Sequence, residues 1–113
     1  MTMAIKKVFV SQPMNGISDQ DIEKVRRETI ELVKPNLKDT LGTDVFRIID
    51  STLSLDIPST VKYNQIGIYY LGESLKLLAT ADIAVFGKGW DEARGCKIEH
   101  AVCEAYGIPH IDL

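Results

Sequence analysis

The run Ile5-Lys6-Lys7-Val8-Phe9-Val10 is rich in β-branched and aromatic residues, and it stops at Ser11-Gln12-Pro13-Met14-Asn15-Gly16, where proline and Asn-Gly break a strand. The pattern predicts a strand followed by a loop. Ser18 then reads as a helix N-cap, with Asp19 and Asp21 in the first turn and Ile22, Val25, Thr29, Leu32 and Val33 at helical spacing over about residues 19–34. Pro35 removes a backbone donor while Leu37 and Leu41 continue the stripe, which predicts a kink or a restart at Pro35 and an end near Gly42. A second strand is expected over residues 44–49. Residues 50–60, with Ser, Thr, Asp and Pro among isolated leucines, read as a surface loop. Val61, Ile66, Tyr70, Leu71, Leu75 and Leu78 predict helical structure to about Thr80, interrupted where Gly67 and Gly72 occur. Ile83-Ala84-Val85-Phe86 lacks polar alternation, as in a strand buried on both faces, and Gly87-Lys88-Gly89 ends it. A helix over about residues 93–106, closed by Gly107, and a last strand over residues 108–111 complete the chain.

This β-α-β-α-β-α-β order predicts a small doubly wound α/β domain of the flavodoxin or Rossmann type, a mostly parallel four-stranded sheet with helices on both faces. In such sheets ligands bind outside the carboxyl ends of the strands. Residues 11–18 and residues 87–95, both rich in small and polar side chains, are therefore expected to meet at one edge.

At 113 residues the chain fits a single domain, and 45% apolar with 26% charged residues is ordinary globular usage. A net charge of -3 gives no field for gathering polyanions, so polymeric nucleic acid is not an expected partner. The lysines at the start precede only a short apolar run, which predicts neither a signal peptide nor a membrane span and leaves a cytoplasmic location as the default. Cys96 and Cys103 lie about 10 Å apart along one helix, too far to pair, and read as small buried apolar residues. With two histidines and no CxxC, neither a metal site nor a cofactor is expected.

Glu99, early in the last long helix and near the strand ends, is the leading candidate for chemistry. The partial positive charge of a helix N-terminus would keep it ionised as a nucleophile or electrostatic stabiliser. A solvated helix glutamate is the ordinary alternative. Ser11, Gln12 and Asn15 can hydrogen-bond a sugar or base, and the backbone donors that follow suit an anion; the same residues also suit a plain Pro/Asn-Gly turn. Trp90 suits either stacking on a planar base or capping the core edge. Arg94 and Lys97 can meet a phosphate or simply stay solvated. Tyr63, Tyr69 and Tyr70 read as packing residues, Asp82 as a structural acid opposite the proposed site, and His100 as pointing away from Glu99.

The residues Lys7-Val8-Phe9-Val10-Ser11-Gln12-Pro13-Met14-Asn15-Gly16, Ala81-Asp82-Ile83-Ala84-Val85-Phe86, Gly89-Trp90, and Gly95-Cys96-Lys97-Ile98-Glu99-His100-Ala101 through Ala105-Tyr106-Gly107-Ile108-Pro109 resemble the nucleoside 2-deoxyribosyltransferase superfamily. The likeness is to its short, phage- and bacteria-associated DUF4406-type branch. It covers roughly residues 7–18 and 72–111. The resemblance implies cleavage of the N-glycosidic bond of a nucleoside or nucleoside 5'-monophosphate. In it Glu99 takes the position of the attacking glutamate, and Ser11, Gln12, Pro13, Met14, Asn15, Gly16, Trp90, Arg94 and Gly95 shape the substrate pocket. Ser74 stands where the family has the acid that protonates the leaving base, and Glu73 beside it is the available substitute. Ala93, Lys97 and Phe9 stand where members commonly have a serine or acid, a glycine and a tyrosine.

Beside an interaction protein with a vestigial pocket, two small-molecule readings remain open at the level of sequence: an N-glycosidase or deoxyribosyltransferase-like enzyme, and a non-catalytic module that binds or senses a nucleotide on the same fold. Both take a small-molecule nucleoside or nucleotide as partner, and both are compatible with a homo-oligomer.

Overall fold

The computed structural model describes residues 5–51 and 56–113. The first four residues, and residues 52–55 of the expected surface loop, lie outside the described residues. The elements are β1 (Lys6–Ser11), α1 (Asp19–Leu41), β2 (Phe46–Ile48), α2 (Ile66–Leu78), β3 (Ile83–Phe86), α3 (Arg94–Tyr106) and β4 (His110–Asp112), with single 3-10 turns at Tyr63–Gln65 and Trp90–Glu92. The strands form one parallel sheet in the order β2-β1-β3-β4. This is the expected doubly wound α/β architecture. Among the described residues no helix is long and apolar enough to cross a membrane.

Strand alternation divides the core in two. Val8 and Val10 of β1 and Ile83 and Val85 of β3 pack on one side with Ile30, Val33 and Leu37 of α1. Phe9, Ala84 and Phe86 point to the other side, where Leu78 of α2 and Cys103 of α3 cover them. Because the two central strands are buried on both faces over residues 8–10 and Ile83–Phe86, those segments read as continuous apolar runs in the sequence.

Several local expectations change in the fold. The apolar face of α1 centres on Thr29, Ile30, Val33 and Leu37, while Val25 and Leu32 are exposed. Gly67 and Gly72 lie inside α2 without interrupting it. Tyr63 is exposed rather than packed, whereas Tyr69 and Tyr70 are half-buried and meet edge to face. Ser18 and Gly42 cap α1 as expected: the Ser18 hydroxyl accepts from the Asp21 N–H at 3.2 Å, and Gly42 is left-handed at φ 72°.

Of the kink or restart expected at Pro35 the restart does not occur, and α1 runs through the proline as one helix. Burial of Val33 on one side of the proline and Leu37 on the other holds the helix against the sheet and outweighs the lost hydrogen bond to the Glu31 carbonyl. Pro35 itself is exposed. Proline in a helix interior costs about 3 kcal/mol relative to alanine, and the stiffer unfolded chain returns about 1 of this. Pro35→Ala is therefore expected to stabilise the protein by about 2 kcal/mol, seen as a higher urea midpoint; an unchanged or lower midpoint would show that α1 has adapted to its proline.

Candidate active site

β1 connects to β2 on one side of it and, after α2, the chain crosses to β3 on the other, so the strand order reverses between β1 and β3. In open α/β sheets ligands bind outside the carboxyl ends of the strands at such a reversal. The loops leaving the two strands do meet there. The Gly87 N–H donates to the Ser11 carbonyl at 2.8 Å, and a Cβ on Gly89 would lie 3.3 Å from Pro13 Cγ. Gly89 also has φ 85°, a left-handed backbone that favours glycine.

Ser11 ends β1 with the same facing as Phe9, toward the α2/α3 layer. Its hydroxyl donates to Glu99 Oε1 at 2.8 Å. From α2, the Ser74 hydroxyl donates to Glu99 Oε2 at 2.5 Å. One carboxylate is thus held by a donor on each oxygen, from a strand and a helix that are far apart in sequence. Glu99 is only 6% exposed. Burial pushes its carboxyl above the ordinary value, and the hydroxyls of Ser74 and Ser11 oppose that by stabilising the anion.

This corrects the electrostatic expectation from sequence. Glu99 is the sixth residue of α3 rather than a member of its first turn, and desolvation outweighs any stabilisation by the helix end. Nor is it a solvated helix glutamate. Cys96 and Cys103 lie on the same buried side of α3. Burial raises both thiols and the charge of Glu99 adds to it, Cys103 reaching about 11, so neither is a thiolate near neutral pH.

The other residues nominated from sequence divide clearly. Gln12, next to Ser11, faces the opposite side of the sheet and donates from Nε2 to the Ile22 carbonyl at 3.0 Å, while its Oε1 is buried without a hydrogen-bond partner among the described residues. Pro13 is half-buried; Met14, Asn15 and Gly16 are exposed at the loop tip, as are Arg94, Gly95 and Lys97 at the start of α3. Glu73 turns away to Lys76, 3.0 Å from its ammonium. Trp90 is half-buried and has one ring face on His100, with centroids 4.1 Å apart and planes at 17°. Asp82 is structural, accepting from the Lys7 N–H at 2.7 Å.

Two groups escaped the sequence reading. Arg26 of α1 donates to the Ser51 hydroxyl beyond β2 at 3.1 Å, which puts a cation near the carboxyl edge of the sheet. On the side of β4, His100 and His110 gather around Asp112, at 2.9 and 2.7 Å. Their spacing along the chain carried a signal, His100/Glu104 one helical turn apart and His110/Asp112 on one strand face, which becomes legible only when α3 and β4 are known to be neighbours.

Comparison of the chain with protein-family models, curated proteins and solved structures finds no match.

Proposed function

We propose that this protein cleaves the N-glycosidic bond of a nucleoside or nucleoside 5'-monophosphate, with Glu99 as the nucleophile. The observation that carries the reading is the buried Glu99 carboxylate clamped by Ser11 and Ser74 near the carboxyl ends of β1 and β3, where the strand order reverses. The likeness to the deoxyribosyltransferase superfamily supports it at Glu99 and Ser11, whereas Ser74 departs from the acid that likeness implies.

In the first step a Glu99 oxygen bonds to the anomeric carbon as the carbon–nitrogen bond breaks, its electron pair leaving with the base, which takes up a proton from solvent water. In the second, water or another base attacks the anomeric carbon and the carboxylate departs. The hydroxyls of Ser11 and Ser74 orient the carboxylate and oppose the upward push of burial on its carboxyl. A desolvated anion is a stronger nucleophile than a hydrated one, provided its geometry is fixed.

A second reading is favoured by one specific feature. Both hydrogen bonds to Glu99 come from hydroxyls, which are poor proton donors to a leaving base, and Glu73 is engaged with Lys76. A nucleotide-binding module on the same fold fits that feature.

Incubation with a panel of nucleosides, 2'-deoxynucleosides and their 5'-monophosphates, followed by chromatography for free base, separates the two. Base release that disappears in Glu99→Gln supports the enzyme, and release unchanged by that substitution overturns it. Calorimetric binding without release leaves the binding module. Ser74 is a positioning residue in this scheme. Losing one hydrogen bond to a charged group is worth about 1.5–3 kcal/mol. Ser74→Ala is therefore expected to lower kcat by about 10- to 100-fold with little change in KM, and Ser74→Thr, which keeps the hydroxyl, to recover most of it. Equal loss in the alanine and threonine variants would remove the hydroxyl from the mechanism.

A further inference from the structure

His100 and Glu104 are one turn apart on α3, and His110 and Asp112 are two residues apart on β4, so each pair shares one face of its element. Packing of β4 beside β3, under α3, brings the pairs together. His100 Nε2 lies 2.9 Å from Asp112 Oδ2 and 4.0 Å from Glu104 Oε1; His110 Nε2 lies 3.2 Å from the same Glu104 oxygen. One ligand atom from each of His100, His110 and Asp112 can be chosen within 4.8 Å of the others. Tetrahedral zinc with bonds of about 2.0–2.1 Å separates its ligand atoms by about 3.3 Å. The spacings here bracket that value.

We propose that His100, Glu104, His110 and Asp112 form a binding site for a divalent transition metal, with zinc the best match. The gathered donors are one ring nitrogen of each imidazole and a carboxylate oxygen of Asp112, and the exposed Glu104, with Oε1 3.2 Å from His110 Nε2, would swing in as the fourth. His110 Nδ1–H donates to Asp112 Oδ1 at 2.7 Å, which selects the tautomer whose Nε2 lone pair is free for a metal. Two neutral imidazoles and two carboxylates carry a charge of about -2, which a dication neutralises. Mixed nitrogen and oxygen donors suit zinc, whereas magnesium prefers oxygen alone.

The rings are already fixed by packing. Trp90 stacks on His100, and the fully buried Phe86 meets His100 at 4.9 Å and His110 at 5.8 Å, both edge to face. The imidazoles are mostly covered, with side chains 16% and 17% exposed, while Glu104 remains open at 62%. An ion can therefore enter from the carboxylate side, and on binding it displaces to solvent the proton through which His100 Nε2 contacts Asp112 Oδ2. Bound there, it would tie β4 to α3 and, through the Trp90 stack, steady the loop after β3.

Titration of the full chain with cobalt(II), followed by its visible absorption, tests the site without reference to base release. One equivalent is expected to give the intense d–d bands of a tetrahedral site, which zinc then bleaches and magnesium does not. Glu104→Gln, at an exposed position that leaves the core intact, should weaken binding at least about tenfold, and His100→Ala with His110→Ala should abolish it. Ser74→Ala should leave it unchanged. Absence of saturable cobalt or zinc binding to the parent chain overturns the site, as does binding that survives loss of both histidines in protein whose circular dichroism is native. The cluster would then be a hydrogen-bonded ion-pair network only.

Discussion

Replacing Glu99 with glutamine is expected to reduce base release by at least about a thousandfold while leaving the protein as stable as its parent, or more so, at neutral pH. The two effects share one cause. A carboxylate can form the glycosyl ester and an amide cannot, so the first step is lost with almost no change in shape. Glutamine still satisfies the site: its carbonyl accepts from one serine, and its amide donates to the other hydroxyl oxygen. What it removes is the cost of holding a charge out of water.

The pH dependence follows with a definite sign. Burial raises the folded-state value of Glu99 above its ordinary 4.5. The folded protein therefore holds this proton more tightly than the unfolded chain does. The associated stability is full below about pH 4.5 and is lost as pH rises through the raised folded-state value, above which it is absent. The difference in unfolding free energy between Glu99→Gln and the parent should thus shift in favour of the variant on going from pH 4 toward pH 8, and then level off. Urea denaturation of both proteins across that range checks it. A difference that stays flat, or moves the other way, would mean that the serine hydroxyls stabilise the anion by more than burial penalises it.

Phe86→Ala is expected to cost about 3–5 kcal/mol, a large part of the 5–15 kcal/mol typical of a whole domain. Phe86 is fully buried at the end of β3, within the cluster that includes Phe9, Leu78 and Cys103, and it touches Trp90, His100 and His110. Truncation leaves a cavity at the junction of β3, α3 and β4 and removes the surface on which both imidazoles rest. Phe86→Leu, which refills most of that volume, should lose much less. Chemical denaturation of the two variants is the measurement. A loss below about 1 kcal/mol for the alanine variant would show that the surrounding layers collapse to fill the space.

Much of the architecture was legible because its causes are local. The β3 strand carries its apolar run unbroken, since both its faces are covered. The caps at Ser18, Gly42 and Gly107 act within one turn of their own helices. Where expectation and structure part, a distant contact prevailed over a local preference. Pro35 should break a helix, yet Val33 and Leu37 are both buried against the sheet; Gly67 and Gly72 weaken α2 in isolation and do not interrupt it. Val25 and Leu32 match the apolar period of α1 but lie to the side of its buried face.

The candidate site divides in the same way. Strand order alone placed Ser11 and the Gly87 loop at one crevice, and the character of Glu99 as an acid beside it could be read from its position in α3. Its environment could not. Whether a helix glutamate is solvated or enclosed depends on what the neighbouring layers present to it, and here those are hydroxyls from β1 and α2. Likewise the two histidines and two carboxylates beside β4 are ordinary residues until α3 packs over that strand.

The sequence by itself therefore determined the order of elements, the parallel doubly wound sheet and the edge at which the loops after β1 and β3 meet, because periodicity, capping and turn residues act over a few neighbours. Only the tertiary structure decided the charge balance of Glu99 and the meeting of His100, Glu104, His110 and Asp112. Desolvation and side-chain convergence are set by groups brought together across the whole chain, and no local pattern encodes them.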